Sequence, residues 1–173
     1  MRPKMASLIG FVFCTLTGCA PNDATTAPAA PVRSFSLVSA KSLGPASPPF
    51  NDEIILRGDG FGLVKFRQLN DGNRIVYLDT WLRGLAPNTS YSLQRATDKN
   101  VNDDCTGSNW LTLGKGATPQ TITTDAGGTG REDLFRDLSA VPFGASFDIH
   151  FRVINTITSA VVLTSECYQF TVR

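Results

Sequence analysis

The chain has 173 residues, with 16 Lys and Arg against 15 Asp and Glu, so its net charge is +1 and only 18% of it is charged. A balance this close to neutral gives no electrostatic reason to bind nucleic acid and no polybasic patch for anionic lipid headgroups. The single histidine, His150, excludes redox metal chemistry that rests on several imidazole ligands.

Arg2 and Lys4 are the only charges ahead of Asp23, and the run 6–16 is mostly apolar. At about eleven residues it is too short to cross a bilayer, which takes roughly twenty in a helix. A positive start and a short apolar run make the layout of a secretory signal peptide. Leu16-Thr17-Gly18-Cys19 then resembles the bacterial lipobox, in which small residues beside the cleaved bond admit the processing enzyme and the cysteine takes the lipid. The resemblance implies that residues 1–18 are removed and that acyl chains on Cys19 tether the product to a membrane. Cys14 fits the pattern less well because bulky Phe13 precedes it. Ala20 stands where lipoproteins held at the inner membrane tend to carry Asp. By the same resemblance the chain is a cell-envelope protein, at the outer membrane if its host has one. Losing Arg2 and Lys4 leaves 14 basic against 15 acidic residues, a net charge of −1.

Residues 20–31 carry no bulky apolar side chain and cannot bury enough surface to offset the entropy of ordering. The stretch 19–32 therefore reads as a lipidated cysteine followed by a flexible Ala/Pro/Thr tether, extended where Pro stiffens it. Residues 33–173 are a comfortable length for one core.

Helical periodicity is almost missing from that domain, and short β-rich runs recur between clusters of Gly, Pro, Asn and Asp. This predicts an all-β fold, a Greek-key, immunoglobulin-like β-sandwich of about 8 strands with one disulfide. Candidate strands cover 35–39, 53–58, 63–69, 74–82, 91–97, 120–124, 133–138, 147–154, 160–164 and 167–172. Asn70-Asp71-Gly72-Asn73 marks a tight hairpin, since Asp-Gly tolerates positive φ. Alternation assigns Val76, Leu78 and Leu82, and likewise Phe147, Ile149, Phe151 and Val153, to the core. The turn-rich stretch 98–109 is expected to be an irregular loop pinned at Cys105. Cys105 and Cys167 are the cysteines that remain, and a pair in an exported domain most often forms a disulfide. Such a bridge closes a loop of about sixty residues, worth roughly 4 kcal/mol in the chain-entropy model. A metal-binding pair or two free thiols are the alternatives.

Leu85-Ala86-Pro87-Asn88-Thr89-Ser90-Tyr91 has the spacing of a tyrosine corner, where a Tyr hydroxyl bonds back to backbone a few residues upstream, a structural role. Gly62-Leu63-Val64-Lys65-Phe66, the run from Leu82 to Tyr91, and Thr123-Thr124-Asp125-Ala126-Gly127-Gly128-Thr129-Gly130 together resemble the CHRD-like secreted β-sandwiches, themselves similar to the copper/zinc superoxide dismutase fold. The resemblance covers roughly 60–172 and implies a related sandwich. It does not carry over the metal pair, because one histidine cannot supply the ligands. Fibronectin type III domains use a similar corner near the domain's end, whereas here about eighty residues follow it.

No Gly-x-Ser-x-Gly elbow, His-Glu-x-x-His or Walker-type loop occurs, and no cofactor is implied. Alternation puts His150 on an outer face with Asp148 and Arg152, as a lone surface histidine. Asn102-Asp103-Asp104 and Asp125 are oxygen-rich, but calcium takes six to eight oxygen ligands and neither stretch supplies them alone. The loop of Asp125 reads more simply as a tight connection. The most suggestive surface is the outer face of the central hairpin, where Lys65 and Arg67 alternate away from Val64 and Phe66, and Tyr77, Asp79, Trp81 and Arg83 from Val76, Leu78 and Leu82. Tyr, Trp and Arg are enriched in binding hot spots. The plainer alternatives are a loop or strand covering Trp81, or Lys and Arg stems packing on it. The expectation is a non-enzymatic envelope module that binds a protein or glycan. Alternatives are an envelope hydrolase with carboxylates drawn from distant segments, or a structural lipoprotein without a ligand.

Overall fold

The computed structural model describes residues 50–173 apart from Asn70. The signal segment, Cys14, Cys19, the 19–32 tether and the expected strand 35–39 lie outside the described residues.

The described residues form strands and no helix. In chain order these are β1 (Phe50–Gly58), β2 (Phe61–Gln68), β3 (Ile75–Arg83), β4 (Ser90–Asp98), β5 (Leu111–Thr112) and β6 (Gly114–Lys115). Then come β7 (Thr118–Pro119), β8 (Ile122–Thr123), β9 (Gly130–Asp137), β10 (Ser146–Asn155), β11 (Val161–Ser165) and β12 (Tyr168–Thr171). They make one sheet in the order β5-β4-β10-β11-β1-β2-β3-β9-β6-β7, with β12 also on β10 and β8 on β4. The outer long strands, β4 and β9, both meet the segment 111–123. Leu113 donates its N–H to Leu93 of β4 at 2.9 Å, while β6 runs parallel beside β9 with Lys115 opposite Phe135. The sheet is thereby nearly closed into a barrel, which leaves little exposed edge for pairing with other chains.

Twelve strands exceed the eight expected because β5, β6, β7 and β8 are two residues each. A two-residue ladder shows no alternation, so 111–119 was not legible as strand and the candidate 120–124 shrinks to Ile122–Thr123. β2 and β3 do form a hairpin, with Leu63 opposite Trp81 and Lys65 opposite Asp79. Its connection is 69–74 rather than a two-residue turn. Gly72 takes the positive φ of 80°, and Asp71 Oδ1 accepts the Asn73 N–H at 3.0 Å.

The inner faces carry the core. Along β3, Val76, Leu78, Thr80 and Leu82 are buried while Trp81 and Arg83 are exposed, the period of a half-buried strand. Phe66 packs edge-on against Phe170 and Phe151, at centroid distances of 4.9 and 6.1 Å. Ile149, Phe151 and Val153 are buried as expected. Phe147 is only half-buried, against Phe170 at 5.4 Å.

Cys105 and Cys167 are bonded, their Cα atoms 5.5 Å apart. Tyr91 is buried, and its hydroxyl accepts the Ala86 N–H at 3.2 Å, the bond a tyrosine corner requires. Thr124 reinforces it by donating to the Ala86 carbonyl at 2.7 Å and accepting the Thr89 N–H at 3.0 Å.

Candidate functional site

Register on the outer side of β2 and β3 brings the six sequence-predicted residues together in rows. Arg67 lies opposite Tyr77, Lys65 opposite Asp79, Leu63 opposite Trp81, and Phe61 opposite Arg83. β1 and β9 widen the face, setting Arg57 against Phe61 and Arg131 against Trp81. Trp81 is 52% exposed, so no described loop covers it. One of the plainer alternatives does apply in part, since the Arg131 guanidinium rests 5.6 Å from the indole centroid.

Charges on this face are largely committed to rings or to one another. Arg67 bonds Asp79 at 2.7 Å and sits 5.9 Å from the Tyr77 ring. Arg83 and Arg57 lie 4.5 and 5.9 Å from the Phe61 ring. Partly exposed pairs of this kind contribute little to stability, but they hold the side chains in place. Two hollows flank Trp81. One of about 160 Å³ is lined by Leu63, Lys65, Asp79, Trp81 and Arg131. The other, about 320 Å³, is lined by Phe61, Leu63, Trp81, Arg83 and Thr129. A flat ring over an apolar floor, with fixed donors at Arg83 and Arg131 and an acceptor at Asp79, can stack against an apolar ring face and hydrogen-bond its rim.

Strand β10 corrects the reading of Asp148 and His150. Both are on the outer side as alternation requires, but segment 99–110, bonded through Cys105 to Cys167, folds over them. Asp148 is fully buried and accepts the Asn102 N–H through Oδ2 at 2.9 Å. His150 is not a lone surface histidine. Its Nε2 lies 3.0 Å from the Gly107 carbonyl oxygen and its ring is 4.6 Å from that of Trp110. Arg152 completes the stack, 4.0 Å from the Trp110 centroid, with Nε donating to Gln94 Oε1 at 2.8 Å. Alternation names a face; it does not say what lies on top of it.

The oxygen-rich stretches are engaged with their own backbone. Asn102 Oδ1 accepts the Asp104 N–H at 3.2 Å. Asp125 Oδ1 accepts from Gly127 and Thr129 at 2.8 and 2.9 Å, closing the connection between β8 and β9. Among the described residues no three His, Cys, Asp or Glu side chains converge on a point where a metal could sit.

Against known proteins, the chain matches no family model and no curated protein.

Phe61, Arg57 and Arg131 belong to the face but were not singled out from sequence. Phe61 shares the parity of Leu63, Lys65 and Arg67, so alternation could have found it. Arg131 and Arg57 join through strand pairings that no local pattern encodes.

Proposed function

We propose that the chain is a cell-envelope protein, anchored through an acylated Cys19, whose β domain is a non-enzymatic module binding an envelope protein or glycan. The observation that supports it is the half-exposed Trp81, set between two hollows and ringed by Arg83, Arg131 and Asp79. Burying a large exposed indole against a partner gives more than burying a scattered aliphatic group, which is why such residues dominate interface energetics. We read the nearly closed sheet as a Greek-key sandwich allied to the CHRD-like domains. The Tyr91 corner supports this, as does the pairing of β4 with the distant β10.

A hydrolase would need an acid with a raised pKa beside a second carboxylate. Three of the described carboxylates are committed to other partners. Asp79 is paired with Arg67, Asp148 is sealed under the 99–110 segment, and hydrogen bonds from Ser139 hold Asp137 below the usual carboxylate range.

The reading is tested by expressing the full chain in a bacterium, weighing the mature N-terminus, and comparing capture of envelope components by wild type, Trp81→Ala and Tyr77→Ala. An acylated Cys19 and capture reduced at least roughly fivefold, about 1 kcal/mol, are expected. An intact Met1 on a soluble species would remove the anchor. Undiminished capture by both variants would remove the Trp81 face.

A further inference from the structure

Inside the barrel lies a second feature, on the opposite side of the sheet from Trp81. A cavity of about 250 Å³ is walled by aromatic and aliphatic side chains, including Phe66, Leu78, Leu113, Phe151 and Phe170, each no more than 3% exposed. It reaches solvent beside the exposed Lys99. Its polar lining is almost entirely cationic, from Arg95, Lys99 and Arg136, with Thr97 between. Strand parity explains how these groups come to point inward. Arg95 stands two residues from buried Leu93 on β4, and Arg136 two from buried Leu134 on β9.

A guanidinium facing an apolar interior is normally matched by a carboxylate, because an unpaired charge there forfeits its hydration. Neither forms an ion pair with a described carboxylate, although Asp137 lies within electrostatic reach of Arg136. Arg95 Nη1 donates to Thr97 Oγ1 at 3.1 Å, and Arg136 Nη1 to the Gly116 carbonyl at 3.2 Å. Both acceptors are neutral, and each guanidinium has five N–H donors to satisfy. The ion pairs among the described residues, Arg67–Asp79, Lys115–Glu132 and Arg131–Asp133, involve neither. Burial first, and then the charge of Arg136, hold Arg95 below the usual guanidinium range. Two like charges are therefore held near one another at the edge of an apolar hole, and an anion between them would relieve both.

We propose that this cavity binds an amphipathic monocarboxylate, its hydrocarbon chain among Phe66, Phe151 and Phe170 and its carboxylate on Arg95 and Arg136. The planar fork of Arg accepts a carboxylate bidentately, and the three aromatic walls exclude water from the chain. Size limits the ligand. A cavity of ~150 Å³ takes benzene, so 250 Å³ holds roughly ten non-hydrogen atoms, a medium-length chain rather than a long one.

The test uses the full chain in a neutral maltoside detergent with octanoate labelled with ¹³C at the carboxyl. A saturable one-to-one shift of the carboxyl resonance is expected, absent from detergent alone. Arg95→Gln and Arg136→Gln should each weaken binding roughly tenfold or more, as loss of a charge-assisted hydrogen bond does. Lys99→Gln, at the exposed rim, should weaken it less. Circular dichroism and the retained disulfide establish that each variant is folded. If Arg95→Gln does not fold, Arg136→Gln and Lys99→Gln carry the comparison. Octanol binding as tightly as octanoate would overturn the role of the arginines, and sulfate binding as tightly would overturn the role of the apolar walls. No saturable shift at all would overturn the site.

Discussion

Replacing Cys105 and Cys167 together by Ser removes a cross-link between residues 62 apart in sequence. In the chain-entropy model this returns about 14 cal/mol/K to the unfolded chain, or about 4 kcal/mol at 25 °C. For a domain of this size that is a fall in Tm of roughly 15 °C. The folded state changes as well. The bridge holds segment 99–110 over β10, where Asn102 donates to Asp148 at 2.9 Å and Gly107 to Asp98 at 2.6 Å. Reversible guanidinium unfolding of the oxidised protein and the double-Ser variant measures the first effect. The denaturant slope should rise in the variant, because its unfolded chain is less compact and exposes more surface. Hydrogen exchange at the Asn102 and Gly107 amides measures the second and should accelerate beyond what the global loss predicts. A loss under about 1 kcal/mol with an unchanged slope would refute the entropic account. Unchanged relative protection of those two amides would refute the pinning of the segment.

Two further outcomes follow from buried polar groups. Asp148→Ala leaves the Asn102 N–H without its acceptor beneath the 99–110 segment, and should destabilise by about 1–3 kcal/mol in chemical denaturation. Asp148→Asn keeps an acceptor and should recover most of that loss, and equal midpoints for the Ala variant and wild type would contradict the assignment. Burial raises the pKa of the Tyr168 phenol above its ordinary value of 10.0, so the fold favours the neutral form. Its contribution is fully present below pH 10.0 and is lost as pH rises through the higher folded value. Stability measured from pH 9 upward should decline less steeply in Tyr168→Phe, and parallel curves would count against it.

Much of the fold and of the candidate face was written in local pattern. In β3 the order Val76-Tyr77-Leu78-Asp79-Thr80-Trp81-Leu82 alternates between core and surface. Parity alone therefore placed Trp81 and Tyr77 outward and their neighbours inward. The Cys105–Cys167 disulfide was similarly legible, as the usual fate of two cysteines in a domain expected to be exported. Tyr91 was too, since its corner is a contact over five residues.

What tertiary structure decided is everything that depends on which chain lies beside or above a strand. Asp148 and His150 have outer-face parity, yet one is fully buried and the other sits under Trp110, because segment 99–110 crosses them. Of the two-residue strands, β5 and β8 exist because 111–123 reaches β4, and β6 joins the sheet because the same segment reaches β9, while β7 pairs locally with β6. Arg95 and Arg136 line one cavity from strands about forty residues apart in sequence. Alternation is a property of consecutive residues, with a period of two set by the backbone of a single strand. Coverage and convergence are properties of pairs distant in sequence, and the closure of the sheet brings such pairs together.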